Sequence, residues 1–350
     1  MKVSVIMPFV NEWPQIAFTI RAVKEQLEGY CDYEIIAVDN YCQEVANQGQ
    51  KPDRGHDHFV LNKQNLGLYN IPEEKRTKAA FQIGHIMAQS RVNGKWLKCY
   101  KFDSKLSHWN AKNLGVSKST GDTLLFLDSH VVPSNGLLKN ALNEFYIMYQ
   151  ENGHLQTMHL PLSYHILENK RLMYKLVYEP NNGVVHYSFT GMPIVKEVIE
   201  VPCMSTCGMI MRRSLFDKLN GWPDGLGIYG GGEHYMNFTC AILGVKKYVY
   251  PYGCLHHHGD RRNYSWNWTD YHRNRMIATG IFGGTKMLEK YEKALGGNNG
   301  TKTMMQQALM AIELHCQKMD CSGPFLDINQ WVKEWEGHRA IGYNTGNHYV

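Results

Sequence analysis

The sequence contains no apolar run long enough to cross a membrane. A spanning helix needs about 18 or more consecutive apolar residues, and no stretch of this 350-residue chain approaches that length. The opening apolar segment is also broken at Pro8, which is too early for a secretory signal peptide. We therefore expect a cytoplasmic protein without a membrane anchor.

Cysteine pairs with metal-binding or redox spacing are missing as well. The nine cysteines are an odd number, and no two of them form a C-x-x-C motif. Several of them, including Cys207 and Cys240, lie in apolar or strand-like segments. This usage favours reduced, mostly buried thiols in a reducing compartment over a framework of disulfides.

Neither sign of charge dominates, and the sequence has no internal repeat. The net charge of +5 suits an anionic small ligand such as a nucleotide and does not by itself indicate a nucleic-acid-binding surface. A hydrophobic content of 43% and a charged content of 20% are ordinary for a globular protein. We expect a substantial core, in one large domain or two small ones.

What the sequence does contain is an alternation of predicted strands and helices. Residues 3–7 and 33–38 are apolar and strand-like, and between them apolar residues recur at helical spacing over residues 16–27. This is the pattern of a strand–helix–strand unit with a right-handed crossover. It predicts an α/β fold whose ligand-binding edge contains residues 9–12 and 39–40.

A further predicted strand, residues 124–127, leads into an Asp-x-His motif formed by Asp128 and His130. Residues i and i+2 of a strand point to the same face, so we expect these two side chains to converge. A carboxylate oxygen beside an imidazole nitrogen suits a divalent cation such as Mn²⁺. The alternative is structural: Asp128 caps a turn and His130 lies in a surface loop. From these residues alone both interpretations stay open.

Other polar residues follow predicted strands, and each has a structural alternative. Asp39 is placed to accept a hydrogen bond from a nucleobase or ribose, or to form an Asx turn. One histidine of residues 256–258 is a candidate third metal ligand, unless the run is a solvated loop. Glu233, after a glycine run, is a candidate general base or substrate ligand, or merely stabilises a helix N-terminus. Arginines and tryptophans within residues 261–275 suit phosphate binding and a mobile loop over the donor, or form a cationic surface.

Several of these segments resemble, in order, the family 2 glycosyltransferases of the GT-A fold. Residues 5–12 (VIMPFVNE) resemble their first strand, and residues 38–40 (VDN) resemble the second-strand Asp that contacts uracil. Residues 111–115 (AKNLG) and 126–130 (FLDSH) resemble their approach to the metal motif. The ordered set is more specific than any one of its motifs.

The Asp-Ser-His form of the motif is similar to that of the polypeptide N-acetylgalactosaminyltransferases. Residues 207–211 and 231–234 also resemble a later segment of that group, which ends in Gly-Gly-Glu-Asn. The resemblance extends over residues 3–283. It implies a central mixed, mostly parallel sheet flanked by helices in residues 1–283, with a C-terminal helical extension and tail in residues 284–350.

The resemblance further implies a metal-dependent, hexosyltransferase-type enzyme that uses a UDP-sugar donor. Asp128, His130 and His257 would hold Mn²⁺, or Mg²⁺, against the diphosphate. Counting from Pro251 favours His257 as the later histidine, and its two neighbours are the alternatives. Those neighbours are His256 and His258.

Roles for other residues also follow from the resemblance. Asp39 would contact the uracil, and Glu233 would act as a base or orient the acceptor or sugar, with Asp128 as a second catalytic residue. The other implied donor-binding residues are Pro8, Val10, Glu12, Asn113, Asp128, Ser129, Arg261 and Arg262. The implied acceptor or loop residues are Gly231, Gly232, His234, Trp266 and Trp268.

One departure from the family concerns the base. Many inverting family 2 enzymes have Glu-Asp where this chain has Glu233 and His234, so the base and the choice between retention and inversion stay open. A glycan or lipid-linked precursor is the default acceptor, with a protein side chain or a modified DNA base as alternatives. The rival classes are a non-catalytic sugar-binding module and a nucleotidyltransferase, although the latter usually has a glycine-rich basic loop where residues 9–12 stand.

Overall fold

The computed structural model describes residues 1–10, 12, 15–48, 96–152, 155–163, 171–179, 184–192, 196–257, 264–320 and 326–335. Within these ranges the chain forms two β-sheets flanked by helices, which confirms the predicted α/β class. Arg261, Arg262 and His258, three predicted site residues, lie outside the described residues.

The elements are numbered in chain order. The strands are Lys2–Phe9 (β1), Asp32–Asp39 (β2), Leu97–Lys101 (β3), Thr123–Phe126 (β4), Val131–Pro133 (β5), Gln156–His159 (β6), Leu162–Ser163 (β7), Leu172–Glu179 (β8), Val184–Gly191 (β9), Ile199–Glu200 (β10), Met209–Arg212 (β11), Lys246–Val249 (β12) and Leu255–His257 (β13). The helices are Gln15–Leu27 (α1), Gln43–Asn47 (α2), His108–Ser117 (α3), Leu137–Asn152 (α4), Arg213–Lys218 (α5), the continuous segments Gly232–His234, Tyr235–Thr239 and Cys240–Ile242 (α6), Trp268–Ala294 (α7), Asn299–Cys316 (α8) and Ile328–Trp335 (α9).

The larger sheet has eight strands in the order β10-β12-β6-β11-β4-β1-β2-β3. Strands β4, β1, β2 and β3 run parallel to one another, whereas β11 runs antiparallel to both β4 and β6. The predicted central mixed sheet is therefore confirmed. The carboxyl ends of β1, β2 and β4 meet at one edge, where an open α/β sheet binds its ligands.

Both faces of this sheet are covered by helices. On one face Val3, Val5 and Met7 of β1 pack in a cluster with α1 and α4. On the other face Ile6 packs with residues of α3, whose Gly115 lies so close that an added Cβ would be 2.7 Å from Ile6 Cγ2. Because both faces are buried, β1 is mostly apolar and does not alternate with polar residues; its one buried polar side chain, Ser4, donates to Glu34 Oε1 at 2.8 Å.

A second sheet has five strands in the order β5-β13-β7-β8-β9. The sequence predicted no separate second sheet. In this sheet β13 pairs antiparallel with β5, and His257 lies opposite Val131. This pairing brings the histidine run beside the Asp-Ser-His segment, although the two are far apart in sequence.

The three C-terminal helices pack on one another and on α6, and α7 also contacts β9 of the second sheet. α7 is interrupted at Gly284, whose φ is 70°. Ala308 of α8 and Trp331 of α9 belong to the same buried cluster as α3 and α6. The domain boundary expected after residue 283 stays a prediction.

No helix among the described residues has both the length and the apolar character that a membrane span requires. The eight cysteines within the described ranges are all free, and most are buried. The expected locations, the cytoplasm and a reducing compartment, stay predictions.

Candidate metal and donor site

Asp128, His130 and His257 bring three potential metal ligands together at the edge of a cavity. Asp128 Oδ2 and His130 Nε2 are each 3.3 Å from His257 Nε2, and they are 3.8 Å from each other. Ligand atoms about 2.1 Å from one shared cation lie roughly 3.0–3.5 Å apart. Two of the three separations fall in this range and the third, 3.8 Å, exceeds it slightly, so a shift of a few tenths of an ångström lets the three atoms bind one divalent cation that leaves further positions open for oxygen ligands.

The reason these side chains converge differs from the one predicted. The strand before the motif ends at Phe126, so Asp128 and His130 lie in the following turn and not on one face of a strand. Thr19 of α1 holds this turn, because its hydroxyl donates to the Ser129 carbonyl (2.8 Å) and accepts from the Val131 amide (3.2 Å).

Glu12 contacts the motif from the end of β1. Its Oε1 lies 3.0 Å from His130 Nδ1, and its Oε2 accepts a hydrogen bond from the Ser129 hydroxyl. The Ser129 hydroxyl therefore points to Glu12, as expected for a residue whose side chain is turned from the metal. Glu12 was predicted to bind the sugar donor. It lines the cavity, and its carboxylate contacts His130 and Ser129 of the metal motif.

Of the two histidines of this run that the structure describes, His257 reaches the cluster. Neighbouring strand residues point to opposite faces, and His256 Nε2 lies instead near Ser134 Oγ at 3.5 Å and Cys254 Sγ at 3.9 Å. His256 is therefore placed away from the three ligand atoms.

Lys112 is a buried cation beside the site that the sequence analysis missed. Burial alone would raise the pKa of Asp128, but the hydrogen bond with His257 and the charge of Lys112 hold that pKa well below its ordinary value. The Lys112 ammonium lies 4.9 Å from the Trp109 ring and 5.5 Å from the Trp222 ring, and Lys112 lines the cavity.

Asn113, predicted to bind the donor, instead supports the loop around Trp222. Its Nδ2 donates to the Trp222 carbonyl (2.7 Å), and its Oδ1 accepts from the Trp222 amide (2.9 Å). The resemblance located the correct segment, but Lys112 is the neighbour that lines the cavity. The sequence feature that could have indicated Lys112 is the presence of a lysine among the apolar residues of this helix.

The cavity has a volume of about 290 Å³. Asp39 is absent from its lining; its Oδ1 accepts from the Tyr41 amide (2.9 Å), which is the Asx turn considered as its alternative role. Burial raises the pKa of Asp39. The predicted donor residues that do line the cavity are Pro8, Val10, Glu12, Asp128 and Ser129.

Glu233 joins α6 to the second sheet through several hydrogen bonds. Its carboxylate accepts from the Tyr174 hydroxyl (3.1 Å), the Thr206 amide (3.1 Å), the Ser205 hydroxyl (3.2 Å) and the Tyr187 hydroxyl. The Tyr174 and Tyr187 rings stack with centroids 4.2 Å apart. The carboxylate thus fixes two aromatic side chains that line the cavity.

The glycine run before Glu233 permits close packing of the backbone. A Cβ on Gly231 would lie 2.1 Å from the Asn274 carbonyl oxygen, and one on Gly232 would lie 2.2 Å from the Trp109 ring. Gly232 lines the cavity and Gly231 does not.

The remaining predicted acceptor or loop residues are not all at the donor cavity. His234 lines it and is buried, and burial lowers the pKa of its imidazole well below the ordinary value. Trp266 lines a second cavity nearby, whereas Trp268 lines neither.

Comparison with known proteins is consistent with the predicted resemblance. Residues 4–70 match the family described as "Glycosyl transferase family 2". N-acetylgalactosaminyltransferase 6 of Drosophila melanogaster is 23% identical over 172 residues, which cover 47% of this chain and 25% of that protein. A crystal structure of GalNAc-T7 with UDP, GalNAc and Mn²⁺ superposes with a TM-score of 0.61 and 12% identity, over 96% of this chain and 57% of that one.

The structural match identifies the fold of the chain. The fold is of the GT-A type, which the matched GalNAc-T7 structure shares, and residues 4–70 match the family 2 glycosyltransferase model. The chain spans a quarter of the matched Drosophila protein and just over half of the matched structure.

Proposed function

We propose that the protein transfers a hexose-type sugar from a UDP-sugar to an acceptor hydroxyl, with a divalent cation, Mn²⁺ or Mg²⁺, at the site. The observation that carries this proposal is the convergence of Asp128, His130 and His257 beside a cavity that Lys112 also lines. Three protein ligands and a neighbouring cation suit the diphosphate of a nucleotide-sugar.

Different residues of the chain would contact the diphosphate and the nucleoside of the donor. When bound, the cation would neutralise negative charge on the leaving diphosphate. Lys112 would place a second positive charge near the same group, and its burial between Trp109 and Trp222 limits the ways in which it moves. Pro8 and Val10 would form the wall for the nucleoside, with Asp39 proposed as the partner of the base.

Glu233 is better suited to position other groups than to serve as a base. A base needs a lone pair directed at the acceptor hydroxyl, whereas this carboxylate already accepts hydrogen bonds from five groups, the fifth being the Thr206 hydroxyl at 3.5 Å. We therefore assign Glu233 to holding Tyr174 and Tyr187 against the sugar. This assignment favours the retaining reaction, which needs no base in that position.

The proposal is tested by UDP-sugar turnover and Mn²⁺ affinity in Asp128→Ala and His257→Ala. Both quantities should fall at least tenfold. His256→Ala is the matched control, because His256 neighbours His257 but is directed toward Ser134, and its values should stay near those of the wild type. Unchanged values in Asp128→Ala and His257→Ala would contradict the metal assignment. Tight binding of UDP and Mn²⁺ without any turnover would indicate the non-catalytic alternative.

A further inference from the structure

A second group of metal-ligating side chains lies on the face of β13 that is turned away from the Asp128 cluster. Neighbouring strand residues point to opposite faces, so His257 reaches that cluster and His256 does not. Cys254 precedes β13 and lies on the same side as His256, and Ser134, which follows β5, is hydrogen-bonded to Cys254. Cys254, His256 and Ser134 do not line the donor cavity, so the proposed function gives them no role.

The three potential ligand atoms of this group form a small triangle. Cys254 Sγ is 3.9 Å from His256 Nε2 and 3.7 Å from Ser134 Oγ, and Ser134 Oγ is 3.5 Å from His256 Nε2. Zinc binds sulfur at about 2.3 Å and nitrogen or oxygen at about 2.0–2.2 Å, so tetrahedral or trigonal angles place its ligand atoms roughly 3.3–3.9 Å apart. All three separations fall in this range, and the triangle has the size that one shared ion requires.

Hydrogen bonds to the backbone hold the triangle in place. The Ser134 hydroxyl donates to the Cys254 carbonyl (2.9 Å) and accepts from the Cys254 amide (3.1 Å). A hydroxyl oxygen has two lone pairs, so one remains for a cation. Cys254 is 5% exposed, whereas His256 and Ser134 are partly exposed. The sulfur is therefore shielded from water, and the side of the histidine leaves a path for an ion.

The chemistry of this group suits a cation better than it suits a nucleophile. Burial raises the pKa of Cys254, so the thiol keeps its proton at neutral pH and lacks the thiolate that a nucleophile needs. No disulfide joins any of the eight cysteines within the described ranges. A metal ion, in contrast, displaces the thiol proton when it binds, and the metal–sulfur bond offsets the cost of removing that proton.

We propose that Cys254, His256 and Ser134 form a second cation site, which prefers a borderline or soft ion such as Zn²⁺. Thiolate and imidazole ligands favour Zn²⁺, whereas carboxylate oxygens favour Mn²⁺ and Mg²⁺. On binding, the Cys254 proton passes to solvent, the sulfur and the imidazole nitrogen form bonds to the ion, and water completes its coordination. Two adjacent histidines of β13 would thus serve two sites of different preference, His256 for Zn²⁺ and His257 for Mn²⁺. This second site is independent of the proposed sugar transfer, and its ion would tie the start of β13 to the end of β5.

The test titrates the full chain with Co²⁺, a spectroscopic substitute for Zn²⁺, in the presence of excess Mn²⁺. A bond between Co²⁺ and a thiolate gives a charge-transfer absorption band in the near ultraviolet, which oxygen and nitrogen ligands do not give. The wild type should show this band at one equivalent of Co²⁺, and added Zn²⁺ should abolish it. Cys254→Ser should lack the band, and His256→Ala should bind Co²⁺ at least tenfold more weakly.

Cys207→Ser is the matched control for the source of the band. Cys207 is also a buried thiol, but its Sγ lies 3.5 Å from the Asp128 amide, beside the other cluster. This variant should keep the band. A band that is lost in Cys207→Ser and kept in Cys254→Ser would assign the thiolate to the Asp128 cluster and overturn the second site.

The melting temperature gives a second measurement. Zn²⁺ should raise it in the wild type and not in Cys254→Ser, because an ion that binds the folded chain more tightly than the unfolded chain stabilises the fold. Absence of the charge-transfer band in the wild type, or a band of full strength in Cys254→Ser, would contradict the proposal. Should Cys254→Ser not fold, the titration of His256→Ala decides, and a Co²⁺ affinity equal to that of the wild type would overturn the site.

Discussion

Glu12 Oε1 lies 3.0 Å from Nδ1 of His130, on the opposite side of the imidazole from the nitrogen that joins the ligand cluster. A carboxylate in this position holds the proton on Nδ1 and leaves the Nε2 lone pair directed at a cation. The same carboxylate accepts from the Ser129 hydroxyl, so one side chain orients two consecutive residues of the motif.

Replacing Glu12 should therefore weaken metal binding without removing a ligand. For Glu12→Ala we expect a loss of about 10–100-fold in Mn²⁺ affinity, measured by electron paramagnetic resonance of free Mn²⁺. Glu28→Ala, which removes an exposed carboxylate paired with Lys24 on α1, should have no effect. An affinity for Mn²⁺ that is the same in Glu12→Ala and the wild type would show that His130 is oriented by other contacts.

Lys112→Met should separate metal binding from donor binding. Methionine keeps the packing between Trp109 and Trp222 but removes the charge. Without the neighbouring cation, Mn²⁺ alone should bind at least as tightly as before. UDP in the presence of Mn²⁺ should bind about tenfold or more weakly, which is about 1.4 kcal/mol. Titration calorimetry measures both affinities, and a parallel loss of both would contradict the assignment of Lys112 to the donor.

Glu233→Gln tests whether this residue acts as a base. Loss of a general base typically lowers turnover by about 100–10,000-fold and removes the acidic limb of the pH profile. We expect a smaller loss of turnover and a pH profile with the shape of the wild-type curve, because Gln still accepts from some of the five donors. We also expect a loss of about 1–3 kcal/mol in the free energy of unfolding, since donors now face an amide. Disappearance of the acidic limb would restore Glu233 as the base.

The stability of the fold should depend on pH through His159. Burial lowers the pKa of His159 to about 4, and its ring nitrogens contact Thr157 Oγ1 and the Ser205 carbonyl, each at 2.9 Å. Between about pH 6.5 and pH 4 the unfolded chain binds a proton that the folded chain does not. The free energy of unfolding should thus fall as the pH is lowered, by roughly 2 kcal/mol between pH 6.5 and 5 from this residue.

Urea unfolding at about pH 7 and about pH 5 measures this dependence. His159→Gln should lower the stability at both values and reduce the difference between them. His186→Gln replaces a more exposed histidine of β9, with 28% of its side chain exposed, and should leave the difference unchanged. A difference that His159→Gln does not reduce would place the pH dependence in other groups.

The parts of the fold that follow from local sequence were predictable. β1, α1 and β2 have uninterrupted apolar or helical patterns, and the structure contains them with boundaries that differ by only a few residues. The second sheet was not predictable in the same way. Its pairing of β13 with β5 depends on contacts between segments that are distant in sequence, which no local pattern records.

The candidate site was likewise predictable only in part from the sequence. Motif order predicted that Asp128, His130 and His257 lie together, as they do. The reason for their convergence was not predictable, because the turn after Phe126 is shaped by Thr19 and Glu12 of another segment. Asn113 was predicted at the cavity instead of Lys112 because the sequence does not show how α3 is rotated about its axis. A shift of one residue turns a side chain by about 100°, and only packing against Trp222 decides which neighbour faces the cavity.

The ligand cluster has one further property. Asp128 follows a strand of the larger sheet, whereas His257 belongs to the second sheet. A cation bound by both residues would cross-link the two sheets, and the cross-link would be lost when the ion dissociates. The free energy of metal binding would then be coupled to the pairing of β5 with β13. Binding of the ion would make this pair of strands more rigid.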